Sequence, residues 1–159
     1  MARSQLLSVA AVLFLFSSAL GTPTPNFEVE GRVYCDTCRA GFETSATTYI
    51  KGSTVRLECK DRATHQLTYS IEGVTDATGT YRLPVSDDRQ HEICEVVVVS
   101  SPEAGCGKAM LGRERARVLL THNNGIVSNT RYANALAFLK DEPLPRCAEL
   151  LKLYKEKEE

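Results

Sequence analysis

The chain has 159 residues, with 19 Lys and Arg against 20 Asp and Glu, six cysteines and no tryptophan. That length fits one domain. A formal net charge of −1 with no clustered basic excess excludes the electrostatic footprint of a nucleic-acid binder.

The first residues read as a targeting segment. Arg3 supplies a positive start, Leu6 to Leu20 is apolar, and Ser17-Ser18-Ala19-Leu20-Gly21 is a small-residue exit before Pro23 and Pro25. That order describes a secretory signal peptide. The apolar run is shorter than the roughly 20 residues that span a bilayer. The expected division is therefore a signal peptide over 1–21, cleaved after Gly21, and one β domain over 22–159. The mature chain would carry 18 basic and 20 acidic side chains, a net charge of −2.

Short alternating segments follow. Phe27 to Cys35 places Phe27, Val29, Val33 and Cys35 on one face and Glu28, Glu30 and Arg32 on the other, the period-two pattern of a half-buried strand. Thr54 to Cys59 repeats it with Val55, Leu57 and Cys59 inward. Gln66 to Val74 turns Leu67, Tyr69 and Ile71 inward, and Gly79 to Val85 does so with Tyr81 and Leu83. Between these two, Thr75-Asp-Ala-Thr-Gly79 is a turn. Ile93 to Ser100 is almost continuously apolar and predicts a central strand covered on both faces. Ala116 to Thr121 and Arg131 to Leu139 are two more strands, joined through Asn123-Asn124-Gly125. The basic stretch Arg113 to Arg117 alternates like a solvated strand face.

After Pro143 and Pro145, the residues Cys147, Leu150, Leu151 and Tyr154 form the stripe of a short amphipathic helix. The expectation is all-β: a seven-stranded antiparallel β-sandwich or barrel with a short C-terminal helix and three disulfides.

Cys35, Cys38, Cys59, Cys94, Cys106 and Cys147 all lie in the mature region. An even count on an export route reads as disulfides, since that compartment is oxidising. Spacing leaves fifteen pairings open. A redox Cys-x-x-Cys would place its first cysteine at a helix N-terminus, whereas Cys35-Asp-Thr-Cys38 ends a strand-like run and encloses an acid. A zinc site would require a second such pair or paired histidines, but His65, His91 and His122 are scattered.

Gly31-Arg-Val-Tyr-Cys-Asp-Thr-Cys-Arg39 resembles the signature of the pollen Ole e I-like family of small secreted plant proteins. The signature positions are Gly31, Val33, Tyr34, Cys35, Asp36, Cys38 and Arg39. The resemblance extends through Glu92 to Val96, Arg131 to Asn134 and Cys147; Cys38 to Thr44 and Ala116 to Val118 are similar to grass pollen members. It implies the pairing Cys35–Cys106, Cys38–Cys147 and Cys59–Cys94. Many relatives carry an Asn-x-Ser/Thr acceptor; this chain has none, so N-glycosylation is not expected.

No nucleophile elbow, metalloprotease helix motif or phosphate-binding glycine loop is present. Asp87-Asp88 reads as a solvated turn, His91 and His122 as loop histidines, and Glu95 as a residue at the sheet rim. No catalytic residue, metal or cofactor is expected. The resemblance implies a non-enzymatic, secreted pollen or anther protein acting in hydration, germination or tube growth, and potentially allergenic. Its expected partner is an extracellular protein or cell-wall polysaccharide. The alternatives are a carbohydrate-binding cell-wall module and a secreted thiol oxidoreductase using Cys35 and Cys38.

Overall fold

Alternation along Phe27–Asp36 produces β1, the strand around which the first sheet is built in the computed structural model, which describes residues 26–156. The expected signal peptide lies outside the described residues. The first half of β1 runs antiparallel to β5 (Thr80–Val85), with Gly31 opposite Tyr81, and parallel to β9 (Thr130–Tyr132). Its second half runs antiparallel to β2 (Thr48–Tyr49) and parallel to β10 (Leu136–Leu139). β10 in turn pairs with β7 (Lys108–Ala109).

The second sheet is antiparallel throughout. Its order is β4 (Leu67–Val74), β3 (Thr54–Asp61), β6 (Glu92–Ser100) and β8 (Arg115–Val118). One core fills the space between the sheets. It takes Phe27, Val29, Val33 and Cys35 from β1, Val55, Leu57 and Cys59 from β3, Tyr81, Leu83 and Val85 from β5, and Val96 from β6. Each fully buried aliphatic side chain here contributes about 1.5–3 kcal/mol relative to exposure. Tyr34 points to the opposite side of the first sheet and packs with Met110 and Ala137.

The all-β architecture with three disulfides and a C-terminal helix stands as expected. The strand count and the purely antiparallel pairing do not. Ten strands occur among the described residues. β2 and β7 are two residues each, too short to show a period. The single strand expected over Arg131 to Leu139 is broken at Ala133 to Ala135 into β9 and β10. Both lie beside β1 and point the same way, because the loop after β8 crosses to the first sheet before the chain re-enters it.

Two burial expectations also change. β6 is central, paired on both sides, but only one of its faces is covered: Val97 is half-buried and Val99 is exposed. Leu67, expected inward, is exposed at the start of β4.

The helix α1 spans Cys147–Lys155. Cys147 packs with Cys38 and Ala46, and Leu144, Leu150 and Ala40 close this small cluster.

Candidate functional site

The segment singled out by sequence lies where β1 runs into a tight turn. Cys35, the ninth residue of the strand, points into the core and is bonded to Cys106 with a Cα–Cα distance of 6.1 Å. Cys38, past the strand end, faces the other way and is bonded to Cys147 at 5.3 Å. All four sulfurs belong to buried residues.

Between the two cysteines, the fully buried Asp36 closes the turn. Its carboxylate accepts hydrogen bonds from the main-chain amides of Cys38 (3.3 Å), Ala40 (3.1 Å) and Gly41 (2.8 Å). Charge-assisted bonds of this kind let a short acidic side chain hold a turn that has no ladder partners of its own. Thr37 donates its hydroxyl to the Ala46 carbonyl at 2.8 Å. Arg39 adopts a left-handed backbone (φ 51°) and donates to the carbonyls of Lys140 (2.7 Å) and Asp141 (3.3 Å). Upstream, the phenol of Tyr81 occupies the volume that a Cβ at Gly31 would need. Gly31, Cys35, Cys38 and Arg39 thus each hold together parts of the chain that are far apart in sequence, while Asp36 closes the turn between them. A thiol oxidoreductase would pair Cys35 with Cys38; here each is bonded to a distant partner instead.

Cys59 and Cys94 stand directly opposite in the β3–β6 register, 4.0 Å apart at Cα, and are bonded. Glu92 is close enough to make a three-ligand metal cluster with them. With both sulfurs in a disulfide, that set supplies no thiolate to a metal.

The polar candidates are structural too. Asp88 accepts from Thr121 Oγ1 (3.0 Å) and the amides of His122 (2.9 Å) and Gln90 (2.9 Å), bonds that hold its carboxyl below the usual range. Its neighbour Asp87 takes a left-handed backbone, φ 66°. His122 stacks on Phe27 at 4.5 Å, while His91 sits beside Gln90 on the surface. Glu95 lies on the outer face of the second sheet, paired with Arg115 at 2.8 Å.

The most unusual charge is Arg131, the residue at which the sequence pattern starts a strand. It is buried, and among the described residues it faces no carboxylate. Its guanidinium donates to the carbonyls of Leu119 (3.0 Å), Thr121 (3.0 Å), Ile126 (3.4 Å) and Ser128, and lies over the Phe27 ring. A planar five-donor fork suits this task as no lysine would. The loop between β8 and β9 is therefore folded around one side chain.

The neighbouring Tyr132 is 76% exposed and separates two clefts, each of about 340 Å³. One lies between Arg117, Leu119, Ile126 and Thr130. The other is walled by Glu30, Arg32, Glu43 and Tyr49. There Arg32 stacks over the Tyr49 ring at 3.4 Å, and the Tyr49 hydroxyl donates to Glu43 Oε1 at 2.6 Å. That hydrogen bond, with partial burial, raises the phenol's pKa.

Two sheets around one core, three disulfides, and a recognisable segment given over to architecture define a disulfide-tied β-sandwich. The model of the family described as "Pollen protein Ole e 1 like" matches residues 25–155, and the chain belongs to that family. It is 54% identical to pollen-specific protein C13 of Zea mays over 128 residues, 80% of this chain and 75% of the relative. It is 48% identical to Protein DOWNSTREAM OF FLC of Arabidopsis thaliana over 149 residues, 94% of this chain and 90% of the relative. Among solved structures, the major plantain pollen allergen Pla l 1 superposes with a TM-score of 0.67 at 33% identity, covering 75% of this chain and 97% of the allergen.

Proposed function

We propose that this chain is a secreted, non-enzymatic pollen protein that acts outside the cell through its surface, in pollen hydration, germination or tube growth. The observation that carries this reading is the placement of the signature. Gly31, Val33, Tyr34, Cys35, Asp36, Cys38 and Arg39 are buried or tied to distant segments, so the clefts and loops around them are what a partner would meet. Three disulfides suit an oxidising extracellular setting, and the leader expected over residues 1–21 would supply the route. The names of the relatives, a pollen-specific protein and a pollen allergen, add the tissue and the potential for antibody recognition.

The test is pollen lacking the protein, scored for hydration, germination and tube length, with purified protein then supplied in the medium. Impaired growth restored from outside supports the reading. Unimpaired growth, or rescue that requires expression inside the cell, contradicts it.

A second reading, binding of cell-wall carbohydrate, is favoured by Tyr49 and Tyr132 lining one cleft with Glu30 and Glu43. Arg32 covers a face of Tyr49, which leaves Tyr132 as the freely exposed ring.

A further inference from the structure

The two sheets end side by side at one seam. β8 is the edge of the second sheet, and β9, paired to β1 alone, is an edge of the first. Their main chains are oriented in a way the register fixes. In the antiparallel β6–β8 ladder, the amide of Val98 bonds to the carbonyl of Glu114, so the bonded pairs are Val96–Ala116 and Cys94–Val118. Arg117, opposite Glu95, is a non-bonded position whose own amide and carbonyl face outward.

In the parallel β1–β9 ladder, Glu28 bonds to the Asn129 carbonyl and Ala133 to the Glu30 carbonyl. Those bonds use Arg131 on the β1 side and leave the amide and carbonyl of Tyr132 pointing away from it. Among the described residues, neither group has another partner. Arg117 and Tyr132 line the same cleft, with Leu119 and Ile126 as its apolar walls, 50% and 44% exposed.

The charges at the seam are uneven. Arg115 is paired with Glu95, and Arg131 is taken up by the carbonyls beneath. Arg117 is exposed and makes no ion pair among the described residues. Glu28 is the nearby acid, on β1 beside Thr130.

We infer that this seam binds an extended peptide segment of a partner protein, which adds as a strand to the free edge at Tyr132 and sets an acidic side chain against Arg117 and an apolar one between Leu119 and Ile126. Unpaired edge groups supply the affinity of such a mode, and the flanking pockets supply the selectivity. A second copy of this chain is disfavoured, because a two-fold pairing through β8 would bring Arg115 and Arg117 against their own counterparts; charged edges of this kind oppose self-association. A glycan is disfavoured because this cleft offers one exposed aromatic ring beside unpaired main-chain groups of the kind a peptide strand bonds. The inference rests on the proposed function in assuming action through the surface, and it supplies the partner's chemistry.

The test is selection of a phage-displayed library of linear dodecapeptides on the purified mature protein, followed by NMR titration with synthetic copies of the enriched sequences. The expected result is enrichment of an Asp or Glu close to an aliphatic or aromatic residue, with amide shifts at 117–119 and 130–132. Arg117→Glu should weaken binding about tenfold or more, while Lys152→Glu on the helix should leave it unchanged. Tyr132→Pro removes the outward amide from an edge position that tolerates proline, and should also weaken it. If that variant fails to fold, Tyr132→Ala takes its place.

Four results would overturn the inference: no enriched peptide binding more tightly than about 1 mM, enrichment of basic peptides, shifts confined to other surfaces, or an undiminished response in Arg117→Glu. Titration with oligogalacturonides that fills the cleft where peptides do not would assign it to carbohydrate. Sedimentation showing concentration-dependent self-association that Tyr132→Pro abolishes would assign it to a second copy. Failure of peptide capture alongside poor growth of pollen lacking the protein removes this inference alone. Normal growth of such pollen alongside peptide capture removes the proposed function and leaves the site.

Discussion

Gly31 and Tyr81 face each other across the β1–β5 ladder, and the phenol of Tyr81 fills the volume that any side chain at position 31 would need. The relationship is steric, since Gly31 is not among the glycines with a positive φ. Tyr81 is itself buried with its hydroxyl unpartnered among the described residues, and burial pushes that hydroxyl's pKa well up. Gly31→Ala should therefore destabilise the domain by about 1–3 kcal/mol through overpacking, read as a shift in the urea midpoint. Tyr81→Phe removes an unsatisfied polar atom and should be close to neutral or stabilising. Combined, the two changes should cost less than their sum, because the atom nearest the added methyl is the one removed. An additive result would contradict the contact.

Cys38–Cys147 and Cys59–Cys94 close loops of very different length, with sequence separations of 109 and 35. On the chain-entropy model these are worth about 5 and about 4 kcal/mol, so loop length barely separates them. Their local effects should differ sharply. Cys147 is the buried residue of α1, and the cluster it shares with Cys38 and Ala46 is small. Replacing Cys38 and Cys147 by Ser should abolish hydrogen-exchange protection across residues 147–155 and leave the strands protected. Replacing Cys59 and Cys94 should lower global stability while the β3–β6 register persists, because it joins strands already paired along their length.

Arg131 supports the loop that carries Ile126 and faces the seam. Arg131→Lys keeps the charge but loses the fork. It should cost at least about 2 kcal/mol and raise amide exchange selectively over 119–130. Equal exchange in both proteins would show that the loop does not depend on the guanidinium.

Acid should weaken the fold in a way that Asp88 helps to set. Its carboxyl is held below its ordinary value by hydrogen bonds from His122, Gln90 and Thr121, as are those of Asp61 and Asp76 by their own turns. A depressed folded-state pKa contributes stability that is present above the unfolded value, about 3.9. That contribution is lost as pH falls through the folded value. Thermal stability should hold down to about pH 5 and then fall. Asp88→Asn should show a shallower acid decline, together with faster exchange at His122.

Much of this architecture was legible in the chain. Phe27, Val29 and Val33, and then Val55 and Leu57, alternate because one face of each strand meets the core, and period two records that directly. The stripe of Cys147, Leu150, Leu151 and Tyr154 gave α1 for the same reason. The parallel pairing of β9 and β10 was hidden, since alternation reports which face is buried and is silent on which neighbour lies alongside. Val97 and Val99 misled because valine suits a strand whether or not its face is covered. Arg131 was invisible by type: arginine is almost never buried unless partnered, and its partners here are carbonyls of a loop that no side-chain pattern marks. Tyr132 stands out in the sequence only within the Arg131 to Asn134 resemblance, and its role as the wall of two clefts depends on loops that come together only in three dimensions.

Cys35 and Cys38 each anchor a distant segment, and the proposed action through the surface rests on that pairing. Mass spectrometry of non-reduced peptides from the native protein, with thiol titration on the same sample, tests it most directly. The expected result is no titratable thiol and three cross-linked pairs, Cys35–Cys106, Cys38–Cys147 and Cys59–Cys94. A Cys35–Cys38 bridge, or two thiols at these positions that open under mild reductant while the fold persists, would contradict it.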